Sequence, residues 1–292
     1  MTLPTADTRV TYPAGELEAT ARVVHVAPAG EGRLAVITDV TSFHPIDAAW
    51  PDQPADAGTI AARGLDIAVR DAVVAATDGE MLAFGDDIPV RKGTEGWSFL
   101  VAHLVDAGAP IHEGDAVVIR AEAPTRRSLS LGHTACHAAS LALNQALAAR
   151  WSKPAREDAL GNPDFDGIAI ASSRIEPNGS VDRYRLNKSL RRAGFDVAGL
   201  ADDLEALAGA VAQTVTGWAD AGAPVHVERD GDLLTDRRRW VAELPDGVAR
   251  IDCGGTHVTS LVELAGVQVS FELGDDQGTP ILTMRTEVVA DR

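Results

Sequence analysis

The chain has 292 residues, 45% of them hydrophobic and 24% charged, ordinary values for a globular protein that exclude the disordered and collagen-like classes. A formal net charge of −17 and a pI near 4.8 argue against tight, nonspecific binding to nucleic acid, because phosphate contacts come from Lys and Arg. Aromatic residues make up only 4%, so aliphatic side chains must carry the core, and the length favours two domains.

Met1 to Glu18 contains no charged region followed by an apolar one, and no stretch approaches the roughly 18 uninterrupted apolar residues of a membrane span. A cytoplasmic protein with no membrane contact is expected. Ala21–Val26 and Leu34–Asp39 alternate as strands around a turn at Gly30-Glu31-Gly32, a hairpin. Residues 43–58 carry three prolines and read as loop. Thr59-Ile60, Ile67–Arg70, Ala72–Ala75, Phe99–Leu104 and Asp115–Ala121 read as further short strands, and segment 78–97 is too polar and glycine-rich to place. Many short strands with turn signals imply a small β-barrel over residues 1–122.

The pattern changes after Glu122. Ser128 to about Trp151 is an Ala/Leu-rich helix, and Val197–Asp220 is a second one with Leu200, Leu204, Leu207, Val211 and Val215 on one stripe, stopped at Ala223-Pro224. Strands are expected at Ile168–Ser172, Arg183–Leu186, Val225–Glu228, Val267–Leu273 and Ile281–Val288, with a short helix at Asp236–Ala242. Helices interleaved with antiparallel strands make residues 123–292 an α+β domain. The predicted fold is therefore α+β: a small β-barrel followed by an α+β metal-binding domain.

Two stretches of this second half carry metal-capable pairs, His133-Thr-Ala-Cys-His137 and Cys253-Gly-Gly-Thr-His257. Positions i and i+4 share one helix face, so His133 and His137 can aim at one point; the Gly254-Gly255 pair favours a tight turn that does the same for Cys253 and His257. Either pair alone is modest evidence, but two together make a His-His-Cys-His zinc site the working expectation. Imidazole and thiolate suit zinc better than magnesium, and two cysteines are too few for an iron–sulfur cluster. Four protein ligands would close a structural site, whereas a catalytic one keeps a position open, and spacing leaves both readings standing. His25, His103, His112 and His226 read as ordinary surface or core residues.

The runs Arg126–His137, Gly179–Arg185 and Asp252–Val258 resemble the editing domain of alanyl-tRNA synthetase and its freestanding relatives, the AlaX-type trans-editing proteins, in which HTAxH and CGGTHV motifs supply the metal ligands. The resemblance extends upstream to Asp39–Pro45 and Gln53–Gly58, and so covers most of residues 33–290; between those elements the family's triple glycine is replaced by the longer Ile46–Asp52 stretch. It implies a freestanding protein that uses Zn2+ to hydrolyse the ester joining serine or glycine to mischarged alanine tRNA, with tRNA as partner and no DNA. It also implies places for Thr41 and Gln53 near the aminoacyl group, Thr41 sensing a side-chain hydroxyl and Gln53 orienting water or the terminal ribose. Arg126 and Arg127 would meet tRNA phosphates, and Asp252, beside Cys253, would orient a ligand. Cys136 sits at a variable position of the resembling motif and reads as a small buried hydrophobe. Two alternatives stand beside this: a related metal hydrolase of a smaller ester or amide, and a noncatalytic binding module around a structural zinc.

Overall fold

The computed structural model describes residues 3–30, 32–48 and 50–289. Glu31, in the turn of the first hairpin, and Ala49, in the proline-rich loop, lie outside the described residues, as do the first two and last three positions. The chain is mixed α+β, with more strand than helix, and falls into two compact units.

Unit 1 comprises residues 1–126, 229–238 and 254–256. Its strands are β1 (Arg9–Val10), β2 (Glu18–Pro28), β3 (Arg33–Thr38), β4 (Val40–Thr41), β5 (Gly58–Ala62), β6 (Leu65–Val69), β7 (Asp71–Thr77), β8 (Leu82–Phe84), β9 (Ser98–Asp106) and β10 (Ala116–Ala121). Eight of them form one antiparallel sheet in the order β6-β5-β10-β2-β3-β9-β7-β8. Segment 78–97, unplaced by sequence, contributes β8. The expected barrel is realised as a long sheet: its ladder ends on β6 and β8, and among the described residues no pairing joins those ends. β3 and β9 are buried on both faces: Val36 and Val101 join one apolar cluster, while Ala35, Ile37, Leu100 and Ala102 form another. The short parallel pair β1–β4 sets Val10 beside Thr41. Residues 229–238 belong here because they close backbone hydrogen bonds with the first strand region, Val10 N–H to the Asp232 carbonyl at 2.8 Å and Leu234 N–H to that of Thr8 at 2.9 Å.

Gly58 is required by a close approach. A Cβ there would lie 2.0 Å from the Arg120 carbonyl oxygen and 2.8 Å from the Phe43 ring, so a side chain would break the β5–β10 ladder.

Unit 2 comprises residues 127–228, 239–253 and 257–292. The helix α1 (Ala123–Leu147) leads into it; α2 (Phe165–Ala169), β11 (Ile170–Glu176), β12 (Gly179–Arg185), α3 (Lys188–Ala193), α4 (Leu204–Asp220), β13 (Val225–Arg229), β14 (Arg238–Leu244), β15 (Gly247–Asp252), β16 (Val267–Asp276) and β17 (Thr279–Val288) follow. The strands make two sheets, β11-β12-β17-β16 and β13-β14-β15. Leu131, Ala138 and Leu143 of α1, Leu207, Val211 and Val215 of α4, and Trp240, Leu282 and Met284 of the sheets pack into one core.

Helix α1 starts five residues before the expected Ser128, because Pro124 falls in the first turn, where its missing N–H costs nothing. The expected helix at Asp236–Ala242 is instead β14: Arg238, Trp240, Val241, Ala242 and Leu244 are buried, and the strand pairs with β15 from Arg239 to Leu244. Three consecutive arginines resembled a solvated helical face, but tertiary pairing decided the conformation. Likewise Ile168 and Ala169 end the short α2 rather than opening a strand, with Asp164 capping the turn by accepting from Gly167 N–H. Among the described residues no helix is long and apolar enough to cross a membrane.

Candidate metal centre

Helix α1 carries His133 and His137 one turn apart, and β15 delivers Cys253 at its end, four residues before His257. All four lie in unit 2, and their ligand-capable atoms are within 4.8 Å of one another. The imidazole centroids are 4.5 Å (His133–His257), 4.8 Å (His133–His137) and 5.2 Å (His137–His257) apart. Cys253 Sγ lies 3.4 Å from His133 Nε2 and 3.3 Å from His257 Nε2. A tetrahedral zinc with Zn–S of about 2.3 Å and Zn–N of about 2.0–2.1 Å separates sulfur from nitrogen by roughly 3.5 Å, close to these two distances.

A second observation tests the fit. Among the described residues, His137 Nε2 is buried with no hydrogen-bond partner. Burial lowers the pKa of His137 to about 4, so its imidazole is neutral and its lone pair is available. A buried, unpaired nitrogen is costly unless something accepts its lone pair, and an ion held amid three imidazoles and a thiolate would supply that partner. The side of the His137 ring is closed by Trp240 of β14, 5.1 Å between centroids.

The second nitrogen of His257 is also assigned. Its Nδ1 lies 3.2 Å from Thr134 Oγ1, and the same oxygen accepts from Val258 N–H at 3.2 Å. Thr134 is fully buried. Sequence reasoning passed over it although it stands between the two histidines of α1; the partner that gives it a task lies 123 residues away. Gly132, the neighbour of His133, seats α1 against the β11–β12 turn, since a Cβ there would meet the carbonyl oxygens of Glu176 at 2.4 Å and Gly179 at 2.5 Å.

The other expected site residues have different surroundings. Asp252 is 87% exposed at its side chain and faces Arg239 Nε at 3.5 Å, whereas Thr134 lies beside His257. Cys136 is buried as expected, but its thiol donates to Asp182 at 3.4 Å, and burial with the neighbouring carboxylates pushes its pKa well above the ordinary value. No disulfide joins the two cysteines.

In unit 1, Thr41 is fully buried, with Oγ1 2.8 Å from His103 Nε2 and accepting from Phe43 N–H at 3.0 Å. The other His103 nitrogen, Nδ1, is 3.0 Å from the Val36 carbonyl oxygen and must donate to it, which leaves Nε2 to accept the Thr41 proton. Gln53 places both ends of its carboxamide on Thr256: Nε2 donates to Oγ1 at 2.9 Å and Oε1 accepts from the backbone N–H at 3.0 Å. Arg126, expected at phosphates, is buried and held by Asp56, to which Nε donates at 2.8 Å, while its terminal nitrogens reach the carbonyls of Ser42 at 2.6 Å and Glu16 at 3.3 Å. Its guanidinium is consumed within the fold. In unit 2, Arg127 is exposed and pairs with Glu263 at 2.6 Å.

No family model matches the chain. Over 250 residues it is 28% identical to the alanine–tRNA ligase, chloroplastic/mitochondrial, of Micromonas pusilla (strain CCMP1545), a match covering 85% of this chain and 24% of the ligase. The chain is similar to part of an alanine–tRNA ligase. It spans about a quarter of the length of that relative.

Proposed function

We propose that the protein is a zinc-dependent hydrolase that removes serine or glycine from mischarged alanine tRNA. The observation that carries this reading is the convergence of His133, His137, Cys253 and His257, with the unpartnered His137 nitrogen among them, in a chain similar to an alanine–tRNA ligase. A divalent ion held there with one position left to the substrate would supply Lewis acidity toward the carbonyl of an aminoacyl ester.

The chain's own groups do the remaining work. The imidazoles of His133, His137 and His257 and the Cys253 thiolate are the groups that would hold the ion, and burial keeps His137 neutral. We assign Gln53 to holding Thr256 rather than to orienting water or the terminal ribose, because both ends of its carboxamide bond that residue. Arg127, not Arg126, is the arginine of the pair available to a tRNA phosphate.

Incubation of the purified, zinc-loaded protein with serine-charged and glycine-charged alanine tRNA tests the proposal. Release of the amino acid at a rate proportional to enzyme is expected; intact ester at every enzyme level with zinc bound would overturn the deacylase reading. Cleavage of small aminoacyl esters with the tRNA ester untouched would assign the chain to a smaller substrate.

A further inference from the structure

Thr134 touches the second metal-capable motif at two places that flank one peptide unit. Its hydroxyl oxygen is 3.2 Å from Nδ1 of the His257 ring and 3.2 Å from the amide nitrogen of Val258. The amide can only donate, so Thr134 Oγ1 accepts there, and its second lone pair faces Nδ1. A metal-binding Nε2 carries no proton, so the ring holds it on Nδ1 and the hydroxyl accepts from both groups. In that arrangement His257 carries its proton on Nδ1, and the lone pair of Nε2 points to the side where Cys253 Sγ lies 3.3 Å away.

We infer that Thr134 is a positioning residue of the metal centre: it fixes the His257 tautomer and ring orientation and ties the Cys253–His257 turn to helix α1. This rests on the reading of the four-residue cluster as a metal centre and adds the residue that presets it. Two features make Thr134 suited to the task. It is fully buried, so water does not compete for its lone pairs. It also directly follows His133 on the helix, so the backbone that aims one imidazole at the ion anchors a second imidazole from the other end of the sequence.

The test is zinc affinity, measured by competition with a chromophoric chelator, for the full chain and for Thr134→Val and Thr134→Ser. Valine keeps the volume and removes both acceptors; serine keeps both. A partner that orients a metal-bound histidine is worth roughly 10- to 100-fold in affinity, so Thr134→Val is expected to bind zinc weaker by that factor and Thr134→Ser to stay near wild type. A readout that general destabilisation would not move is the imidazole Nδ1–H proton of His257 in 1H–15N spectra of zinc-loaded protein, expected to be protected from exchange in wild type and Thr134→Ser and exposed in Thr134→Val. Wild-type affinity together with a protected Nδ1–H in Thr134→Val would overturn the assignment, as would a Thr134→Ser variant as weak as valine. If valine prevents folding, the serine variant and the wild-type spectrum decide, and absence of a protected Nδ1–H in wild type overturns it. A wild-type chain that binds no zinc overturns the metal reading itself, and with it this role; intact zinc binding without tRNA deacylation overturns the deacylase reading alone.

Discussion

The carboxamide of Gln53 grips Thr256 at two points, donating to its hydroxyl and accepting from its amide, with both residues almost fully buried. The pairing is complementary, because an amide side chain presents a donor and an acceptor side by side, as the backbone N–H and hydroxyl of Thr256 require. Thr256 immediately precedes His257, so the grip limits how the Gly254-Gly255 turn can bend.

Gln53→Ala leaves the amide and hydroxyl of Thr256 buried without these partners. Each such loss costs about 1–3 kcal/mol, so the variant should unfold at lower urea with an unchanged slope and a stability loss of about 2–6 kcal/mol. Gln53→Glu retains an acceptor for the amide and should lose less. Equal losses for the two variants would show that the hydrogen bonds to Thr256 contribute little.

Gly132→Ala places a methyl group against two backbone carbonyls of the β11–β12 turn, neither the flexible end of a side chain. Overpacking of this kind costs about 1–3 kcal/mol, occasionally more. Because His133 is the next residue, zinc affinity should fall as well. Unchanged denaturation and zinc binding would mean that the turn yields freely.

Arg126 and Arg127 should separate cleanly. Arg126→Met strands Asp56 as a buried, unpaired carboxylate, and breaking a buried pair from one side costs about 3–5 kcal/mol, read by denaturation. Arg127→Ala, on an exposed pair, should change stability by less than about 1 kcal/mol, while raising KM for charged tRNA and lowering its dependence on salt. The opposite assignment of effects would return Arg126 to the phosphate contact.

Acid should destabilise the protein in part through His103. Burial lowers its pKa to about 4, from an ordinary 6.5, against a smaller upward pull from the bond to Val36. A folded-state pKa below the unfolded one means the unfolded chain takes up the proton first, so this contribution is present above pH 6.5 and is lost as pH falls toward 4. The shift corresponds to about 3 kcal/mol at most. His103→Gln keeps a side-chain acceptor within reach of Thr41 and does not titrate; the stability gap between wild type and this variant should narrow by up to about 3 kcal/mol between pH 7 and pH 4. A gap independent of pH would mean that His103 titrates near its ordinary value.

Local pattern made some of this legible and could not reach the rest. His133 and His137 share a helix face by spacing alone, and a Gly-Gly pair announces the turn between Cys253 and His257, so the cluster was readable before any coordinates. The stripe on α4 was equally plain, since Leu207, Val211 and Val215 recur at helical period and are buried. What remained hidden depended on partners far away in sequence. Arg126 looks like a surface cation until Asp56, 70 residues earlier, is found beside it. Gln53 and Thr256 are 203 residues apart, and Thr134 acquires its task only when the second motif folds back on α1. β14 reads as helix in the sequence for the same reason: its arginines carry no strand signal, and its pairing with β15 supplies one.

The most direct measurement is serine release from serine-charged alanine tRNA by protein stripped of metal, reloaded with one equivalent of zinc, and compared with His137→Ala carried through the same steps. The account expects release to vanish on stripping and return on reloading, and His137→Ala to lose zinc affinity and release together. Full release by the stripped protein, or a His137→Ala variant that binds zinc and releases serine as wild type does, would contradict it.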